Sequence, residues 1–388
     1  MVELNSPLIT RASTYFSRLK KAALLNIMVS TLSKFGLGFA SYYFKIQGLE
    51  LYKIILVWAI APLASIPIVL LSHTWNVRRR LRYGLLAFSG MSLSLFFYNQ
   101  FSFLLYGICG GLVLGFFWVS FNYLFFLKST NNEHARDSSV YFLLSPLVGI
   151  VLPPLGALLI GNVGYRALFF VTLLLSLLPF LYIKGDYFLY TAKQSFKQAN
   201  EAFSGLRLIE FFNGALHYFQ GNFLAIYALL FLKTEYQVGG LLSYLAVISL
   251  GVSLVVSHIS DKSNKRLRFL YPLLIAMSAL IILIPGIKSL SLLVAVIGMY
   301  AALDNLSMPL RFAVVMDAKT TDIGFWRMSE LYGNIGRTVV FSITSLLLYV
   351  GNSWLAFGIF AVMSFVFPFL MGWKTKTLAN TSPAETLI

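Results

Sequence analysis

The chain has little charge, a single cysteine and no recognisable catalytic motif. Only 11% of its 388 residues are charged and 58% are hydrophobic, which excludes a water-soluble globule because such a protein needs more charge than that. Cys109 stands alone, so it can form neither an internal disulfide nor a metal site with other thiolates. Serine-hydrolase, zinc-protease and nucleotide-phosphate motifs do not occur. The sequence therefore predicts no enzyme, no metal site and no cofactor.

Long apolar runs are what the sequence has in abundance. Its mean hydropathy is +0.79, so most segments meet lipid or one another all the way round. A bilayer is crossed by about 20 apolar residues. Twelve runs of this kind are predicted, at 22–44, 51–73, 81–99, 101–127, 138–161, 164–184, 207–232, 236–258, 267–286, 289–314, 323–350 and 353–373.

The basic residues lie mainly in the loops between these runs. The formal net charge is +16, but a nucleic-acid partner is not expected because no basic patch remains once the loops are set aside. With the N-terminus inside, 21 Lys and Arg residues lie on the cytoplasmic side and five on the other. Basic residues accumulate on the cytoplasmic side of membrane proteins. The sequence therefore predicts that both termini are cytoplasmic, and the short outer loops favour a bacterial inner (plasma) membrane.

The chain divides into two similar halves around a polar segment at its midpoint. The predicted parts are a cytoplasmic tail at 1–21, a six-helix bundle at 22–184, a cytoplasmic linker at 185–206, a second six-helix bundle at 207–373, and a cytoplasmic tail at 374–388. The second helix of each half ends in a Ser-His pair followed by basic residues, first at Ser72-His73 and again at Ser257-His258. Two parallel six-helix repeats are one of the symmetries found in secondary transporters.

Two segments carry a resemblance to a known family. Ser257 to Arg266 reads Ser-His-Ile-Ser-Asp-Lys-Ser-Asn-Lys-Arg, which resembles the cytoplasmic loop motif of the major facilitator superfamily. Its counterpart in the first half has Asn76 in place of the acid. A Gly/Pro-rich fifth span followed by Gly164-Tyr165-Arg166 is also similar to that family. The resemblance implies an all-α polytopic membrane protein, with about twelve transmembrane helices in two pseudo-symmetric six-helix bundles.

The same resemblance implies a conformational latch in the loop after the eighth helix. Asp261 is expected to pair with Lys265 or Arg266. Asp317, at the end of the tenth helix, is expected to contact the same basic pair. Such a cluster would hold one conformational state of the protein.

Charged side chains inside the apolar runs are the candidate functional residues, because a charge at membrane depth is costly unless it is paired. Counting along the helices places Lys34, His217, Asp304 and Arg337 near the middle of the membrane, and Glu330 shares a helix face with Arg337. In the family's fold, the first, fourth, seventh and tenth helices line a central cavity. We therefore expect Lys34, His217 and Asp304 to face it, with Arg337 pairing with Asp304. The alternative for each pair is a static salt bridge between helices.

Two functions follow from these features. The first is a secondary transporter that moves a small organic solute by alternating access of its two halves. Cavity charge favours an anionic or zwitterionic substrate, and Asp304, Glu330 or His217 could carry a coupling proton. The second is a protein of the same fold without solute flux, such as a lipid-handling protein, a sensor or a partner in envelope assembly. The expected partners are the lipid bilayer and a small-molecule substrate, and the expected state is a monomer.

Overall fold

A computed structural model describes the backbone of residues 7–71, 74–127, 134–184, 188–260, 266–318 and 322–381. Side chains are described within 20–71, 74–127, 137–184, 188–252, 267–318 and 322–374. Helices dominate every one of these ranges.

The described residues of the first half contain ten α-helices. They are α1 Pro7–Phe35, α2 Ala40–Ile46, α3 Leu51–Leu70, α4 Val77–Phe96, α5 Ser102–Leu112, α6 Val119–Phe126, α7 His134–Gly149, α8 Leu152–Val163, α9 Tyr165–Leu175 and α10 Leu177–Tyr182.

The described part of the second half begins with the short helix α11. Its helices are α11 Phe196–Ala202, α12 Arg207–Tyr218, α13 Ala225–Ala228, α14 Glu235–Ser260, α15 Arg266–Leu283, α16 Leu290–Asp317, α17 Ile323–Tyr349 and α18 Ser353–Thr381.

Within the described residues, ten helical segments are long and apolar enough to cross a membrane. The other two predicted spans are also helical but more polar: α4 opens with four arginines, and α12 carries Glu210, Asn213 and His217. The predicted layout of twelve membrane helices in two bundles is thus confirmed. The third span starts at Val77 rather than at 81, because Asn76 caps it by accepting a 2.9 Å hydrogen bond from the Arg79 backbone N–H.

Several spans are interrupted rather than straight. The first breaks at Gly36, where a side chain would overlap Thr172 of α9. The fourth and seventh contain π-helical turns, at Val113–Trp118 and Phe219–Leu224. A π-turn widens the helix locally and is common at functional sites. Each of these interruptions lies beside the interior of the protein.

The two halves meet along two seams. On one seam α3 packs against α17, and on the other α7 and α8 pack against α14. The tenth span, α16, also contacts α7. The space between the two seams is where a central cavity can lie.

The midpoint segment contains more structure than a bare linker. Strand β2, Thr191–Lys193, pairs antiparallel with β1, Thr74–Asn76, with Trp75 opposite Ala192. Helix α11 then packs against α17. The segment therefore contacts the first half through β1 and the second half through α17, while the domain boundaries given above stay predictions.

Candidate functional site

Two adjoining cavities lie between the halves. The larger has a volume of about 370 Å³ and the smaller about 290 Å³. Lys34, Trp58, Trp118 and Tyr218 line both cavities. The larger cavity is referred to below as the inner cavity, because it is lined by the ends of α12 and α17 that are predicted to be cytoplasmic. The smaller one is the outer cavity.

Lys34 sits at the junction of the two cavities. It occupies the last turn of α1, directly before the break at Gly36, where the partial negative charge of the helix end favours a cation. Its aliphatic stem lies against α7 at Gly149. Among the described residues, its ammonium group has no hydrogen-bond or ion-pair partner. Lys34 is thus a cation open to both cavities.

Glu330 and Arg337 form an ion pair on the wall of the inner cavity. Arg337 Nη1 donates to Glu330 Oε1 at 2.6 Å and to Asn334 Oδ1 at 2.5 Å. Asn334 in turn donates to Ser65 Oγ of α3 at 2.6 Å. Glu330 and Arg337 therefore share one face of α17, as predicted. Through Asn334, the same face is hydrogen-bonded to α3 of the other half.

Glu210 and His217 reach the inner cavity from α12. Glu210 Oε2 accepts a hydrogen bond of 3.1 Å from Ser329 Oγ, and no cation lies within ion-pair distance of Glu210 in the described part of the chain. The His217 ring is open to the cavity, and its centroid lies 6.4 Å from that of the Tyr218 ring, with the two rings tilted by 46°. Sequence analysis did not select Glu210, which stands only three residues into its helix and resembles an ordinary helix-start acid.

The expected pairing of Asp304 with Arg337 is wrong. Asp304 Oδ1 accepts from Arg311 Nη2 at 2.5 Å, two turns along the same face of α16, and both side chains are completely buried. Arg311 points inward, and its Nη1 lies 3.4 Å from Asn213 Oδ1. Asp304 does not line either cavity. It lies behind the cavity wall. Its partner Arg311 contacts Asn213, which lines the inner cavity.

Aromatic side chains make up much of the remaining wall. Trp118 and Asn222 belong to the two π-turns, so the local widening of those helices places both side chains at the junction of the cavities. Tyr141 donates a 2.8 Å hydrogen bond to Asn122 Oδ1. The Asn122 side chain also lines the inner cavity.

Contacts between the halves close the space on its outer side. Tyr42 donates a 2.8 Å hydrogen bond to the Lys233 carbonyl. Lys45 Nζ donates to the carbonyls of Leu229 and Leu232, the latter at 3.1 Å. These carbonyls lie just after α13, so a cation of the first half caps the end of a helix of the second half.

A second set of contacts closes the inner side. Arg327 of α17 donates to the carbonyls of Val69, at the end of α3, and of Gln194, both at 3.0 Å. Aromatic rings from both halves stack beside it, with Phe126 and Trp326 at 5.2 Å between centroids and Tyr141 and Phe312 at 6.1 Å. The cavities therefore lie between two sets of contacts that bridge the halves.

The predicted latch falls largely outside what the structure describes. Asp261 and Lys265 lie outside the described residues, and the side chain of Arg266 is not described. Asp317 is exposed at the end of α16. The latch stays a prediction.

Comparisons with known proteins agree with this architecture. The family model for the Major Facilitator Superfamily matches residues 21–328. No curated protein sequence gives a significant match. Two solved structures are similar in fold. The bacterial homologue of the iron transporter ferroportin, in an outward-facing state, has a TM-score of 0.66 at 12% identity, over 94% of this chain and 99% of that one. The human organic anion transporter MFSD10 (TETRAN) has a TM-score of 0.61 at 12% identity, over 92% of this chain and 99% of that one.

Proposed function

This chain belongs to the Major Facilitator Superfamily, and on that premise we propose that it is a secondary transporter of a small organic anion or zwitterion. It is an integral, multi-pass membrane protein. The proposed orientation places both termini in the cytoplasm, and the proposed location is a bacterial plasma membrane. The basic loops described above support the orientation, and the short outer loops support the location.

The single observation that carries the proposal is the inner cavity, whose wall carries a cation, Lys34, that has no partner among the described residues. A volume of about 370 Å³ falls in the range of small-molecule sites. Lys34, His217, Glu330 and Arg337 all line it, so four of the five predicted site residues share one chamber. Since Glu330 and Arg337 neutralise one another, Lys34 is the cation on the wall that is available to a negatively charged group.

We propose that the substrate reaches this chamber by alternating access. Contacts between the halves lie on both sides of the cavities, and they involve hydrogen bonds and ring packing that can separate without unfolding either bundle. Opening the outer set while the inner set stays closed would expose the chamber to one side, and the converse would expose it to the other. Glu330 and His217, as titratable groups on the wall, are the proposed carriers of a coupling proton.

A retention experiment with vesicles tests the proposal. Vesicles carrying the purified protein are loaded with a mixture of organic anions, zwitterions and cations, and the retained solutes are measured by mass spectrometry. We expect anions or zwitterions to be lost faster than from protein-free vesicles, with cations retained. A Lys34→Gln variant should slow that loss, whereas Lys53→Gln, on an exposed helix start, should not. Equal retention of every solute with and without protein would contradict a transport function.

A further inference from the structure

The inner cavity holds two opposite charges that do not neutralise each other. Lys34 has no partner among the described residues, and Glu210 has the Ser329 hydroxyl but no cation. The other charged pair on the wall, Glu330 and Arg337, is internally balanced at 2.6 Å. Protein interiors rarely retain a single uncompensated charge, because desolvation of the charged form is costly. Two such charges in one cavity therefore indicate that a ligand brings a group of opposite charge to each of them.

We propose that the substrate is a zwitterion with a bulky apolar body, whose anionic group binds Lys34 and whose cationic group binds Glu210. This assignment rests on the proposed transport function and narrows its substrate class. An anion alone would leave the Glu210 carboxylate unpaired inside the cavity. A cation alone would leave the Lys34 ammonium group unpaired. A zwitterion satisfies both charges at once.

The surroundings of each charge fit this assignment. Lys34 lies at the end of α1, where helix geometry holds its cationic group at the junction of the cavities. Glu210 is buried, and Ser329 fixes one of its oxygens. Arg337 donates its hydrogen bonds to Glu330 and Asn334, and among the described residues it forms no hydrogen bond or ion pair with Glu210.

Aromatic rings on the wall of the same cavity supply the apolar contact. Their members are Trp58, Trp118, Tyr141, Phe142, Tyr218 and Phe312. Rings of this kind bind apolar and aromatic groups through area burial and through ring packing. The chamber thus combines a cation, an anion and an apolar wall, which are the three elements that recognise an aromatic amino acid or a compound of the same chemistry.

Three matched probes separate the charge requirements. Phenylalanine carries both charges, 3-phenylpropionate lacks the ammonium group, and 2-phenylethylamine lacks the carboxylate. The full-length protein in detergent is melted with each probe, since a ligand that binds the folded state raises the melting temperature. We expect phenylalanine to raise it and the two single-charge probes to raise it much less.

Two variants test which residue binds which charged group of the ligand. Glu210→Gln should weaken phenylalanine binding by about tenfold to a hundredfold, the loss of one charged hydrogen bond, and should make 3-phenylpropionate bind as well as phenylalanine. Lys34→Gln should produce the converse, with 2-phenylethylamine matching phenylalanine. Glu50→Gln, at the exposed start of α3, is the matched control and should leave all three melting shifts unchanged.

Results on the wild-type protein decide the proposal even if a variant fails to fold. A 3-phenylpropionate shift as large as that of phenylalanine would overturn it, as would the absence of any shift with all three probes. An unchanged probe preference in folded Glu210→Gln would overturn it as well. These outcomes differ from a failure of the transport function, because vesicles that release simple anions would still show transport.

Discussion

At the scale of single residues, the buried charges separate into paired and open groups. Asp304 with Arg311, and Glu330 with Arg337, are each held in close ion pairs. Lys34 lies open to the cavities. Paired charges contribute to folding, whereas an open charge is available to a ligand. Whether a buried charge is paired or open therefore indicates its role, in folding or in ligand binding, more directly than its depth along a helix does.

The Asp304 and Arg311 pair yields the first prediction. Asp304→Asn leaves the Arg311 guanidinium buried without a counter-ion, and breaking a buried pair in this way costs about 3–5 kcal/mol. We expect a large fall in melting temperature and in the yield of folded protein. Asp304→Asn combined with Arg311→Gln should recover most of both, and should retain transport, because the pair lies behind the cavity wall. Loss of flux in a well-folded double variant would show instead that Asp304 acts in transport.

The Glu330 and Arg337 pair yields the second prediction. Here the double variant is expected to lose transport, whereas the double variant of Asp304 and Arg311 is expected to keep it. Glu330→Gln strands Arg337, so the melting temperature should fall, whereas Glu330→Gln with Arg337→Gln should restore it. Because both side chains face the chamber, the double variant should still transport poorly. The readouts are thermal melting for folding and vesicle flux for function, and normal flux in the double variant would reduce the pair to a structural contact.

At the scale of helices, cations that cap helix ends across the interface hold the two sides of the cavity closed. Lys45 caps the end of α13 on the outer side, and Arg327 caps the end of α3 on the inner side. Each links one half to the carbonyl groups of the other, where the helix dipole adds to the hydrogen bonds. Because the two caps close opposite sides, weakening one biases the protein toward the state that opens on that side.

This opposition gives the third prediction. Hydrogen bonds from charged groups contribute about 1.5–3 kcal/mol each, so losing one cap shifts the equilibrium between states by roughly tenfold or more. With a cysteine at Ser41 in the outer cavity and Cys109→Ala as background, Lys45→Gln should speed labelling by an impermeant maleimide added outside. Arg327→Gln should slow it. Equal labelling rates in both variants would show that the caps do not control access.

The sequence was sufficient to predict the elements but not the pairings between them. Apolar length located all twelve spans, and short turns such as Gly351, with φ of 78°, fell where the apolar runs stop. The seven-residue spacing of Asp304 and Arg311 puts both side chains on one helix face, but only the fold shows that Arg311 points inward, where it lies 3.4 Å from Asn213 Oδ1 of α12. The π-turns left no pattern in the hydropathy. Glu210 was missed because its burial depends on Ser329 of a distant helix.

At the scale of the whole molecule, the distribution of basic residues predicts which side faces the cytoplasm. In the fourth prediction, single cysteines in the Cys109→Ala background report the orientation. A cysteine at Arg79 should react only with reagent on the cytoplasmic side, and one at Lys288 or Asn352 only with reagent outside, because 21 basic residues lie on the predicted inner side and five on the outer. Labelling of position 352 from the inner side alone would refute the twelve-span arrangement.

The central claim is that the halves move against each other to pass a solute through the chamber. The most direct test joins them on the outer side, where Tyr42 of one half donates to the Lys233 carbonyl of the other. Cysteines at these two positions, in the Cys109→Ala background, are linked with a short bis-methanethiosulfonate reagent that a reductant cleaves. Solute release from vesicles should stop on linking and return on reduction, while each single-cysteine variant treated in the same way keeps its flux. Undiminished release with the halves fully linked would contradict alternating access.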